Sequence, residues 1–178
     1  MANLTGKAIL DIFEEMLWKK PLSKITVRAV VERSGISQST FYRHYMDIYD
    51  LLSAWSEYRW REFWQRLSEC PDRQEAEEYL FGFCKRYRPV MKHMAEGIPV
   101  DRLAKMFFNR SDDEWALAAW LFDAEGEPVS PEAQREAAAF CKSACVGLLF
   151  RYLYDDDAEA FEQKARNTLR MLEKLAAE

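Results

Sequence analysis

TVRAVVERSGISQSTFYRHY, residues Thr26–Tyr45, carries a helix start, a turn and a second helix start in one short stretch. Thr26 precedes Val27, Val30 and Val31 at helical spacing, and a threonine there caps a helix by accepting from a first-turn backbone N–H. Gly35 ends that helix, because the chain must turn with positive φ and glycine does so without a Cβ clash. Ser37 opens another short helix over 38–44. Val30, Val31, Ile36 and Phe41 supply a small core between the two. Such a pair forms a helix-turn-helix, whose second helix lies in the major groove of DNA. The side chains of that helix distinguish it from a plain helical hairpin. Gln38, Ser39 and Thr40 are short or amide groups near its N-terminus, where base edges are read. Tyr42, Arg43 and His44 follow and suit phosphates and a groove edge.

Working outward, no strand-like alternation persists, whereas helical spacing recurs, so the chain is all-α. Before the motif, a first helix with Thr5 as N-cap has the stripe Ala8/Ile9, Ile12/Phe13 and Met16/Leu17, and Pro21 stops it. After it, Asp47 caps a long fourth helix reaching Leu67. Its apolar face is Ile48, Leu51, Leu52 and Trp55, then Trp60, Phe63, Trp64 and Leu67. The change of azimuth predicts that its two ends face different cores. Pro71-Asp72 breaks the chain, a helix with Tyr79, Leu80, Phe83, Cys84, Tyr87, Met91 and Met94 follows, and Pro89 predicts a kink. Gly97-Ile98-Pro99 is the next break. Helices are predicted over 101–109, 115–122, 131–154 and 157–176, with the loop EGEPVSP at 125–131 and an acidic turn at Asp155–Asp157.

Residues 5–52 resemble the tetracycline-repressor family of bacterial regulators. KPLSKITVRAVVERSGISQSTFYRHY and MDIYDLL carry the resemblance, above all the Thr-Val start, the Ser-Gly-Ile-Ser turn and the Phe-Tyr-Arg-His-Tyr end. The resemblance implies an all-helical homodimer of about nine helices per subunit. It implies a three-helix DNA-binding domain over 1–47 and an effector-binding and dimerisation domain over 48–178, whose last two long helices dimerise. Residue by residue, Thr26 and Arg28 match phosphate positions, Gln38 and Thr40 base-reading positions, and Tyr42 and His44 phosphate positions. Ser39 and Arg43 stand where the family varies and tune specificity. Ile48 departs from the pattern, since the family often places a phosphate-binding lysine there. Only MANLTG precedes Lys7, so minor-groove reading by a basic arm is not expected.

Bulk composition agrees with a soluble helical globule. The 178 residues are 49% hydrophobic and 31% charged, with six glycines and six prolines; disorder is not expected. The net charge of −5 conceals an asymmetry: residues 1–45 hold seven basic and four acidic side chains, a net +3, leaving −8 on the remainder. Phosphate attraction acts over about a Debye length, roughly 8–10 Å, so the local excess counts for more than the total. Cys70, Cys84, Cys141 and Cys145 do not form a secreted disulfide framework. No signal peptide is visible, and the longest apolar run, Trp115–Phe122, is far too short for a bilayer. A cytoplasmic protein is expected, with no membrane partner.

The second half is rich in aromatics. Trp64, Phe83, Tyr87, Phe107, Trp115 and Trp120 are candidate lining for a small-molecule pocket between bundle helices, although aromatic stripes at this spacing are more often core. Cys141 and Cys145 share a helix face, where small residues letting helices pack closely is the simpler explanation than a metal or thiol sensor; no metal or cofactor is expected. The 131–154 helix is apolar nearly all round, and 157–176 has the stripe Ala158, Phe161, Ala165, Leu169, Leu172 and Ala176. Leu148, Phe161, Leu169 and Leu172 are therefore candidate dimer contacts. With two histidines, no phosphate loop and no nucleophile-base motif, the sequence does not read as an enzyme. The expectation is a homodimeric repressor that binds a pseudo-palindromic operator on double-stranded DNA and is released by a small, largely apolar effector. The alternative is a regulator whose second domain binds a protein or nothing, with constitutive DNA affinity.

Overall fold

The computed structural model describes residues 4–98, 151–155 and 157–176, together with 130, 132 and 147. Among the described residues six α-helices and one 3-10 turn are assigned, with no strand. They are α1 (Leu4–Leu17), the 3-10 turn Leu22–Lys24, α2 (Val27–Ser34), α3 (Gln38–His44), α4 (Ile48–Ser68), α5 (Arg73–Ala95) and α6 (Ala158–Ala176). The helices predicted over 101–109 and 115–122, and most of 131–154, lie outside the described residues. The chain divides into two compact units, Met1–Val100 and Asp101–Glu178.

Local chemistry fixes the boundaries in the first unit. Thr26 is extended, and its side chain accepts from Ala29 N at 3.2 Å, starting α2. Gly35 ends it at φ 67°, and any residue with a Cβ would be strained there. Ser37 starts α3 by accepting from Thr40 N at 3.1 Å. The Asp47 carboxylate accepts from both Tyr49 N and Asp50 N at 2.8 Å and starts α4, and Asp72 does the same for α5 through Glu75 N at 2.9 Å. Each acidic cap also suits the positive end of the helix dipole. One expected cap differs: α1 already begins at Leu4, which leaves Thr5 inside the helix. α5 continues through Pro89 to Ala95.

The core of this unit lies where α1 meets α2, α4 and α5. Ile9, Phe13, Leu17, Val30, Phe41, Leu51 and Leu52 are fully enclosed. Of the predicted α1 stripe, Ala8 is exposed and Leu10 is buried instead. α4 does face two surroundings: Trp55 meets Phe13 of α1 edge-on at 6.4 Å, while Phe63 sits 4.7 Å from Phe83 and 5.5 Å from Tyr79, both on α5. At its far end α5 closes on the 3-10 turn. A Cβ on Gly97 would stand 2.6 Å from Leu22 Cβ and 2.7 Å from Ser23 N, so only glycine permits this approach.

In the second unit, Asp157 caps α6 by accepting from Ala160 N at 2.9 Å, as the acidic turn predicts. Phe161 is buried beside Tyr152, their rings 5.4 Å apart. No described helix is long and apolar enough to cross a membrane.

Candidate DNA interface

α2 and α3 meet at Gly35 around Val30, Val31 and Phe41, with Ile36 half-buried beside them. This packing leaves one face of α3 in solvent. Gln38, Ser39 and Arg43 are exposed, Thr40 is half-buried, and Tyr42 stands 56% exposed against the edge of Phe41. An aromatic ring that exposed on a helix that short is uncovered by the fold itself, so Gln38, Ser39, Tyr42 and Arg43 share one accessible helix. Behind them Tyr45 is buried and its hydroxyl donates to the Gly6 carbonyl at 3.2 Å, fastening the end of α3 to α1. Burial first, and then the Asp50 charge, raise its phenol pKa above the ordinary value.

The remaining predicted residues are less uniform. Thr26 is exposed at the start of α2, and after accepting from Ala29 its hydroxyl still has a proton to donate. Arg28 is exposed but paired: its Nε donates to Glu32 at 2.7 Å. The hydrogen bond and charge of Glu32 raise its pKa further. His44 is half-buried, with Nε2 enclosed and without a hydrogen-bond partner, which leaves Nδ1 as the nitrogen able to meet a phosphate. Lys7 lies over the Tyr58 ring at 5.9 Å, within cation–π range. Ile48, half-buried, offers no charge at the start of α4, where Asp50 instead takes the Met46 N–H at 2.8 Å.

Residues 9–55 match the family model for bacterial regulatory proteins of the tetR family. Over these residues the chain is similar to the tetR family. No curated protein matches the chain closely enough to count as a relative. The tetR-family match runs from α1 to the first third of α4, so the helix-turn-helix is that of a DNA-binding transcriptional regulator.

The tetR-type head is held on the rest of its unit by a group that the sequence alone does not single out. Glu14, on α1, is 9% exposed. Its carboxylate accepts from Trp55 Nε1 at 3.0 Å, Arg59 Nε at 2.6 Å, Tyr87 Oη at 3.3 Å and Trp18 Nε1 at 3.4 Å. One carboxylate thus ties α1 to α4 and α5, and Arg59 balances its charge. Burial works against the Arg59 cation, but Glu14 outweighs it and leaves the pKa above the ordinary value. Burial and Glu14 both raise that of Tyr87. A second tie runs from His93 Nδ1 on α5 to the Leu17 carbonyl, 2.6 Å away. The available signal was Glu14 falling between Leu10 and Leu17, on the buried side of α1.

Of the candidate pocket residues, Phe83 and Tyr87 stack at 4.5 Å, and Tyr87 continues to Trp18 at 5.6 Å. Phe107, Trp115 and Trp120 lie outside the described residues, as does the side chain of Trp64. Among the candidate dimer residues, Phe161 is packed within its own unit, Leu148 lies outside the described residues, and so do the side chains of Leu169 and Leu172. Cys141 and Cys145 also fall outside them; among the described residues no three His, Cys, Asp or Glu side chains are grouped to hold a metal.

Proposed function

We propose that the chain is a homodimeric repressor in which residues 1–47 read a pseudo-palindromic operator and residues 48–178 dimerise and bind a small, largely apolar effector that releases the DNA. The observation that carries the DNA half of this reading is the exposed face of α3, with Gln38 at its start and Tyr42 and Arg43 toward its end. Two such helices in a dimer enter successive major grooves about 34–36 Å apart, or a multiple of that. The aromatic rings gathered where α4 meets α5, with Phe63 against Phe83 and Tyr79, support an apolar effector, because aromatic side chains commonly line sites for apolar molecules.

Base preference measured on a randomised duplex library tests the assignment. Gln38→Ala relaxes the preference at one position of the half-site, whereas Tyr42→Phe weakens all sequences alike. Equal effects of both changes on selected and random DNA would refute it. A thermal-shift screen of small apolar compounds tests the effector half, since a ligand at about 100 times its Kd stabilises by about 2.7 kcal/mol.

A further inference from the structure

Three hydroxyls meet at the start of α3. Ser37 Oγ lies 2.8 Å from Ser39 Oγ and 2.9 Å from Thr40 Oγ1, and it also accepts from Thr40 N at 3.1 Å. A serine hydroxyl has one proton to give and two lone pairs. One lone pair of Ser37 is occupied by the Thr40 N–H. Its single proton can go to only one of its two hydroxyl neighbours, and its second lone pair takes the proton of the other. The neighbour that gives its proton to Ser37 can then only accept from a base edge. The neighbour that receives keeps its own proton and can donate.

We propose that Ser37 is a specificity-determining residue of this DNA reader, which sets the Ser39 and Thr40 hydroxyls to opposite roles, one donor and one acceptor, toward the bases. The proposal rests on α3 being the base-reading helix. The major groove presents a distinct donor and acceptor order for each base pair, so fixing the direction of two hydroxyls selects among bases that freely rotating hydroxyls would tolerate. Ser37 need not touch DNA to do this. Its extended backbone, φ −79° and ψ 156°, suits any residue, so it can be replaced without strain.

Two variants separate this role from simple capping. Ser37→Asn keeps an oxygen to cap α3 but splits the hub, since its amide oxygen can only accept and its amide nitrogen only donate, so no single atom relays one proton between Ser39 and Thr40. Ser37→Gly removes the hub, and glycine at a cap costs only about a few tenths of a kcal/mol relative to serine. Each full-length variant is assayed for base preference on a randomised duplex library, beside Gln38→Ala. The expected result is a change of about fivefold or more in base preference, the lower end of a good base contact, at one or two positions next to the one altered by Gln38→Ala. That Gln38 position itself stays unchanged and thermal midpoints stay close to that of the parent. An unchanged preference at every position in both variants overturns the proposal. A uniform loss on selected and random DNA also overturns it, leaving Ser37 as a cap only. If Gln38→Ala alters no position, the base-reading assignment of α3 fails and takes the Ser37 role with it.

Discussion

Replacing Glu14 by Ala severs the contact that holds α1 to both α4 and α5. The carboxylate side chain is 12% exposed and that of Arg59 23%, so the pair is shielded from solvent on both sides. Removing one partner of such a pair costs about 3–5 kcal/mol, because the other charge is left buried. Two features place Glu14→Ala near the lower end. Arg59 retains Glu62, whose side chain is 46% exposed, and Tyr87 and Trp18 give only long hydrogen bonds of 3.3 and 3.4 Å. Trp55 Nε1 pulls the other way, since its 3.0 Å bond is buried and nothing replaces it. At about 2–4 °C per kcal/mol for a chain of this size, a loss of about 3 kcal/mol lowers the thermal midpoint by roughly 6–12 °C. Circular dichroism at neutral pH measures this directly. A Glu14→Leu/Arg59→Leu double variant then isolates the electrostatic part, because removing both charges leaves none unpaired, and it should be more stable than Glu14→Ala. A midpoint for Glu14→Ala within about 1 °C of the parent, or losses that simply add in the double variant, would refute the reasoning.

Gly97→Ala forces a Cβ to within 2.6 Å of Leu22 Cβ and 2.7 Å of a backbone nitrogen. Overpacking against backbone costs about 1–3 kcal/mol, visible in urea unfolding, and an unchanged midpoint would count against the close approach. Burial is the first cause of the raised phenol pKa of Tyr45, Tyr79 and Tyr87 relative to the ordinary 10.0. The folded state therefore holds these protons to higher pH than the unfolded chain does. Their contribution is complete below the unfolded value and is lost as pH rises through the folded ones. Tyr87→Phe should flatten this alkaline decline in a urea series between about pH 8 and 11, and parallel curves would contradict the assignment. Glu32→Gln releases Arg28 from its 2.7 Å bridge. If Arg28 then meets a phosphate, affinity rises on any DNA and the salt slope steepens by about one unit, whereas an unchanged slope removes Arg28 from the interface.

The helix-turn-helix was legible because its determinants are local. Thr26, Gly35 and Ser37 set backbone geometry within a few residues of themselves, and Val30, Val31 and Phe41 sit at the spacing that buries them. The two faces of α4 were legible for the same reason, from the azimuth of its apolar residues. Glu14 was not, because its partners Trp55, Arg59 and Tyr87 lie 41, 45 and 73 residues away. A carboxylate on an apolar stripe has no assignable role until the fold supplies its donors. Gly97 was visible as a chain break, but its reason for being glycine is contact with Leu22 and Ser23, again far off in sequence. Charge counting also missed that Arg28 and Arg33 are engaged, by Glu32 and Glu15, each at 2.7 Å. The head's seven basic side chains thus overstate the cations free to meet phosphates.

The joint at Glu14 constrains how any effector can change DNA binding. α3 is carried on α1 and α2, and α1 is tied to α4 and α5 by the Glu14 carboxylate and to α5 again at the Leu17 carbonyl. Two responses to a shift of α4 or α5 are open: the joint breaks and the head swivels, or the joint holds and the head moves with the helices. Breaking it leaves Arg59 and Trp55 without their buried partner and costs about 3–5 kcal/mol. A change of roughly 5–150-fold in DNA affinity needs a coupling of only about 1–3 kcal/mol. The cheaper response is therefore rigid motion, in which a small rotation of α4 and α5 carries α3 with it and misplaces it in the groove. On that basis Glu14→Gln, which keeps an acceptor but loses the charge, weakens the response of DNA binding to an effector more than it weakens DNA binding itself. An equal loss in both would mean that the head does not depend on this joint for its orientation.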